Sequence, residues 1–177
     1  DYIKKNLHQK LSIDVIAKMA YVSKSNFFKM FKEELVSINV EVDSKEQLFS
    51  YVAKRLKEGR YVKDSYLEGI TKREEEFPTG LITKNLNIAL PHSDPEHIRE
   101  PFIYVVRINN NVTVKQMGDN QEMKVKDFFF LGIKEPSGQV GVLQSLMNLF
   151  MNDDFVKEYI EAQSQEEIFN TIKKYFK

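Results

Sequence analysis

Apolar positions along this chain change their period, and each change marks a different kind of element. In the first 35 residues they recur at helical spacing: Leu11, Val15, Ile16 and Met19 share one face, and Val22, Phe27, Phe28, Phe31 and Leu35 share a second. Ser12 and Ser23 stand where N-caps belong, with a turn at Ala20-Tyr21-Val22 between them, so the segment predicts two short helices in a helix-turn-helix arrangement. From there strand and helix patterns alternate. Ile38-Asn39-Val40-Glu41-Val42 has period two and predicts an edge strand. Ser44-Lys45-Glu46-Gln47 is a capping box that opens a helix with Leu48, Tyr51, Val52 and Leu56 inward and an end near Gly59. A second helix over 64–75 buries Tyr66, Leu67 and Ile70 and carries Arg73 in its last turn. Asn87-Ile88-Ala89-Leu90 reads as a short buried strand. Residues 102–108, β-branched and aromatic, predict another, and Val112-Thr113-Val114 adds a short extension after three asparagines. The run 125–133, continuously apolar after Asp127, predicts a strand covered on both faces at the sheet centre. Helical period then returns. Ser137 opens a helix with Val140, Leu143, Leu146, Met147 and Phe150 inward, Asp153 starts another through Ile160, and Ser164-Gln165-Glu166-Glu167 caps a last one carrying Ile168, Ile172 and Phe176. The order predicts an α/β fold over residues 36–177, a three-layer α/β/α sandwich with a mixed sheet, preceded by a short all-α, helix-turn-helix-like segment over 1–35.

The strand at 87–90 ends at Pro91, which cannot donate to a sheet ladder, so pairing is expected to stop there and His92 to stand at the sheet edge in the mouth of a loop. Ser93-Asp94-Pro95-Glu96 continues with turn and helix-start chemistry. An imidazole delivered to the mouth of a loop in this way suits a reactive group better than a packed one. Arg73 offers a planar, permanently charged fork that matches phosphate. Thr79 and Gly80 shape the intervening loop, Gly80 by allowing a positive φ. His97 fits either a solvated helix start or a second role in the site, and Arg99 and Arg107 either surface charge or phosphate contacts. Residues 92–97 could be drawn as a metal site, but the spacing is not that of a zinc motif, and no metal is expected.

Composition removes several classes of function. Hydrophobic residues make up 42% and charged residues 29% of 177, values normal for a globular protein with a core. With no cysteine there is no thiol nucleophile, disulfide framework or Cys-ligated zinc. No apolar run has the length of a membrane span, and the polar first residues lack the apolar core of a secretory signal, so a cytoplasmic protein without membrane insertion is expected. Residues 1–35 hold seven lysines against four acidic residues, and the remainder is mildly acidic.

The segment T-K-R-E-E-E-F-P-T-G-L over 71–81, followed by N-I-A-L-P-H over 87–92, resembles the enzyme IIA domains of the bacterial sugar phosphotransferase system, in the mannitol/fructose superfamily. Ser93-Asp94-Pro95-Glu96-His97 and Gln116-Met117-Gly118 are most similar to the galactitol branch. The resemblance implies a phosphotransferase component that carries phosphate on His92, by Nε2, with Arg73 stabilising it. It implies phospho-HPr as donor, a cysteine of a separate enzyme IIB as acceptor, and no cofactor. At the position where mannitol-type domains carry a second histidine this chain has Gln139, which can donate a hydrogen bond but cannot shuttle a proton. A docking rim of Leu81, Ile82 and Leu90 around His92 is expected, with 81–86 forming a loop longer than in the mannitol type. The stretch from Leu11 to Leu35 resembles the first helix-turn-helix unit of AraC-type transcription regulators, without the linking helix and second unit. It is the one place where nucleic acid could bind, and it opens an alternative: a transcription regulator controlled by phosphorylation of a IIA-like domain. A phosphate-independent interaction domain is the third possibility.

Overall fold

A five-stranded mixed sheet organises the fold. In the computed structural model, which describes residues 22–177, its order is β1 (Val36–Val40), β4 (Phe102–Lys115), β5 (Glu122–Gly132), β3 (Asn87–Ala89) and β2 (Gly80–Ile82). β1 runs parallel to β4 and β3 parallel to β5, while the β4–β5 and β2–β3 pairs are antiparallel. Six helices flank it among the described residues: α1 (Lys24–Met30), α2 (Lys45–Glu58), α3 (Tyr66–Glu76), α4 (Pro136–Phe150), α5 (Asp153–Glu161) and α6 (Gln165–Tyr175). α2 and α3 cover one face; α1, α4, α5 and α6 cover the other. The three-layer α/β/α arrangement is the one the sequence predicts.

Burial on both faces explains the apolar run of β5. Phe129 and Leu131 point into the core beneath α4, α5 and α6, while Phe128 and Phe130 point toward α2 and α3, all at 1% exposure or less. Serine caps start α1, α2 and α6 as expected, while Asn152, one residue before the expected Asp153, caps α5. Ser44 accepts from the Gln47 amide at 3.1 Å while the Gln47 side chain accepts from Asp43 N–H, and Ser164 and Glu167 repeat the exchange at α6. At α4 the cap falls two residues earlier than expected, on Glu135, because Pro136 needs no hydrogen-bond partner for its nitrogen in the first turn.

Other elements depart from expectation. Asn109-Asn110-Asn111 does not interrupt β4; the strand absorbs them as an irregularity in its pairing with β5. Residues 81–86 are not one loop, since Gly80–Ile82 forms the edge strand β2 and only the turn that follows is irregular. Leu67 is 37% exposed rather than buried. The first predicted helix lies outside the described residues. Of the second, α1 is described, and its Phe27 and Phe31 are fully buried in the same core as β1, β4 and α6. Phe27 meets Phe176 with ring centroids 4.3 Å apart, and Phe31 meets Phe169 at 5.3 Å.

Candidate active site

Three backbone segments converge beside the end of β5: the last turn of α3, the start of β2, and the chain leaving β3. The expected end of pairing at Pro91 does not occur. Leu131 N–H donates to Pro91 O at 3.0 Å, and His92 forms a parallel bridge with Leu131. Proline lacks a donor but keeps its carbonyl, and in this parallel register the carbonyl is what the neighbour needs. His92 is therefore drawn inside, at 4% exposure, instead of standing open at a loop mouth.

Burial and one hydrogen bond define the imidazole. His92 Nδ1 lies 2.9 Å from Leu90 O, and a carbonyl only accepts, so the proton of the neutral ring sits on Nδ1 and the lone pair on Nε2. Loss of hydration pushes the His92 pKa below its ordinary value, and the Arg73 charge acts in the same direction; the Leu90 carbonyl, Glu74 and Asp94 oppose them. The ring is thus neutral near pH 7. Arg73, in the last turn of α3 as expected, reaches Asp94 through Nη1 at 3.0 Å and lies 4.5 Å above the Phe77 ring centroid.

A carboxylate to which the sequence pattern assigns no role is joined to the ring through Thr79 and the Leu90 backbone. Glu74 is 4% exposed and accepts from Thr79 N–H at 3.0 Å and from Thr79 Oγ1–H at 2.9 Å. Burial pushes its pKa up to about 7; the two Thr79 donors, His92 and Lys45 hold it from rising further. Thr79 Oγ1 in turn accepts from Leu90 N–H at 3.2 Å. The signal was present as an acid in the last turn of a predicted helix with a threonine five residues on, close enough for the chain leaving the helix to fold back onto it.

The remaining candidates separate. Gly80 does not adopt a positive φ; it is glycine because a Cβ would lie 2.6 Å from both Lys115 O and Met123 Sδ. His97 accepts from or donates to Ser65 Oγ at 2.7 Å and packs on Gly69, where a Cβ would come within 2.5 Å of its ring. With Arg73, Asp94 and Lys72 it lines a cavity of about 320 Å³, whose lining does not include His92. Gln139 is 6% exposed in the first turns of α4, the helix that follows β5. Arg107 serves the fold: Nε reaches Asp127 at 2.9 Å, and its other nitrogens donate to the Tyr159 and Ala162 carbonyls. Of the expected docking rim, Ile82 is 57% exposed and Leu81 half-buried, whereas Leu90 is buried in the core at 1%.

Residues 29–175 match the family described as phosphoenolpyruvate-dependent sugar phosphotransferase system, EIIA 2. The chain belongs to this family. It is an EIIA-type phosphotransferase component, 31% identical over 108 residues to the galactitol-specific EIIA component of the Escherichia coli phosphotransferase system, an alignment covering 59% of this chain and 72% of that one. By fold it is similar to the crystal structure of IIA mannitol from Escherichia coli, with a TM-score of 0.64 at 19% identity, covering 80% of this chain and 97% of the other. It is also similar to enzyme IIA in the complex of mannitol enzyme IIA with phosphorylated enzyme IIB from Escherichia coli, with a TM-score of 0.65 at 18% identity over 81% and 98% of the two chains. Among the described residues of this EIIA no helix is long and apolar enough to cross a membrane.

Proposed function

We propose that this EIIA carries a phosphoryl group on His92 Nε2, taking it from phospho-HPr and passing it to a cysteine of a galactitol-type enzyme IIB. The observation that supports this most directly is the Nδ1–H to Leu90 O hydrogen bond, which leaves the lone pair of a neutral ring on Nε2. In the first transfer the donor N–P bond breaks as the Nε2–P bond forms, and the donor imidazole recovers its electron pair. In the second a thiolate attacks phosphorus and His92 leaves as a neutral imidazole, still protonated on Nδ1. Both steps balance with these groups alone. Phosphoryl transfer passes through a loose, strongly anionic transition state, so the demand on the protein is positive charge held in place. Arg73 meets it, steered by Asp94 and the Phe77 ring toward the side of the loop where its charge is felt by His92.

The enzyme IIB partner is suggested by the mannitol relative, whose complex with phosphorylated enzyme IIB has the same fold on the EIIA side. The galactitol assignment follows the name of the Escherichia coli relative. Ile82 is exposed on the edge strand β2, but it pairs opposite Asn87, at the end of β3 away from His92, so it is not part of an apolar rim around the histidine. The expected unit of function is the EIIA domain, with Thr79, Gly80, His97 and Gln139 supporting the site rather than carrying phosphate.

The test is incubation with enzyme I, HPr and labelled phosphoenolpyruvate, wild type beside His92→Ala. Acid-labile, base-stable label on the wild type and none on the variant is the expected result. An unlabelled wild type beside labelled HPr, or equal label on both proteins, would sink the reading.

A further inference from the structure

Glu74 takes no part in either transfer step, yet a buried carboxylate is costly to desolvate and needs a reason to persist beside the reactive ring. Its bonds lead to that ring without a gap. The carboxylate accepts both the N–H and the Oγ1–H of Thr79; Thr79 accepts Leu90 N–H on Oγ1 at 3.2 Å and on its carbonyl at 3.3 Å; Leu90 O accepts His92 Nδ1–H at 2.9 Å. On the far side, Pro91 O is tied to Leu131 N–H. The Leu90 carbonyl is therefore aimed by two clamps, Thr79 before it and β5 after it.

We propose that Glu74 is a positioning residue for phosphoryl uptake, acting through Thr79 and the Leu90 backbone to hold the His92 proton on Nδ1 and keep Nε2 available as the nucleophile. The reason is chemical. In water a neutral imidazole prefers its proton on Nε2, the wrong atom here, and the hydrogen bond made by one nitrogen decides the state of the other. A Thr79 hydroxyl committed to the carboxylate as donor has its lone pairs facing Leu90 N–H, so the direction of each bond in the chain follows from the charge at its start. Above its pKa of about 7, the negative charge of Glu74 also favours the positive charge that the ring gains while phosphorus is bound.

This inference rests on His92 being the acceptor, and its test separates the two. At pH 8, long-range proton–nitrogen correlation spectra of uniformly labelled full-length protein report which His92 nitrogen carries the proton, independently of phosphate. Wild type should show Nδ1 protonated and Nε2 unprotonated. Glu74→Gln and Thr79→Val should shift the pair toward the opposite tautomer and slow phosphoryl uptake from phospho-HPr by about 10- to 100-fold, the loss that follows removal of a group orienting a metal-ligating histidine. Thr79→Ser, which keeps the hydroxyl, should rescue both readouts relative to Thr79→Val. Folded variants with the wild-type tautomer and uptake rate would overturn the proposal and leave Glu74 a role in the fold alone. A wild type with the Nδ1 tautomer but no phosphate uptake would instead overturn the carrier reading. If Glu74→Gln does not fold, the comparison of Thr79→Val with Thr79→Ser decides between these outcomes.

Discussion

Glu74 and His92 feel each other's charge, and burial of the two has opposite consequences for stability. A carboxyl whose pKa rises to about 7 on folding binds a proton more readily in the folded chain than in the unfolded one, so its contribution is fully present below about pH 4.5 and is lost as pH rises through 7. His92, with its pKa lowered, works the other way: it costs nothing above its unfolded value near 6.5 and destabilises as pH falls below it. Glutamine at position 74 removes the first slope and leaves the second. The stability difference between wild type and Glu74→Gln should therefore fall by a few kcal/mol between pH 5 and pH 8 in urea denaturation, with Lys45 and His92 as the charges that act on Glu74, and Arg73 and Asp94 as those that act on His92. A difference that does not change over that range would mean that Glu74 titrates as an ordinary carboxyl. At this scale His92 and Arg73 are legible as candidates because their residue types name their chemistry. Glu74 was not, because its importance lies in what surrounds it: the same letter on a solvated face of α3 would be surface charge.

Elements long enough to repeat a pattern are legible in the sequence; of the two three-residue strands, β3 is marked by its apolar run before Pro91, and β2 is not. The apolar continuity of β5 and the capping boxes of α2 and α6 specify those elements locally, so their register in the fold follows. β2 has three residues, too few to establish a period, and it exists because Gly80 and Leu81 pair with Ala89 and Ile88 while Met117 N–H binds Gly80 O at 2.7 Å. Such pairing is tertiary and leaves no trace in 80–82 alone. The glycine is its one visible signature, and the reason is crowding by Lys115 O and Met123 Sδ, not backbone conformation. A backbone oxygen cannot step aside as a flexible side chain does. Gly80→Ala should accordingly destabilise by about 1–3 kcal/mol, seen as a lower urea midpoint at unchanged slope, and should slow phosphoryl uptake because β2 carries the chain that follows Thr79. A midpoint equal to wild type would show that β2 moves freely enough to be irrelevant to the site.

For the molecule as a whole, the open issue is where the EIIA unit begins. Its sequence suggests a break between residues 35 and 36, yet the family match starts at residue 29, and α1 presses Phe27 and Phe31 into the core shared by β1, β4 and α6. Charge and helical period describe 1–35 well enough but are silent on what the aromatic face of α1 touches. That face meets Phe169 and Phe176, more than 130 residues away in sequence. Replacing a buried phenylalanine with alanine costs about 3–5 kcal/mol, and removing two exhausts much of the roughly 5–15 kcal/mol by which a domain is stable. A chain of residues 22–177, which keeps α1, is the reference and should accept phosphate from phospho-HPr. A chain of residues 36–177 should melt far lower or fail to fold. Equal stability of the two would return the boundary to 36, make α1 an appendage, and free its aromatic face for another partner. Phe27→Ala in the full chain distinguishes a packing loss from a truncation effect, because it removes the ring and leaves α1 in place.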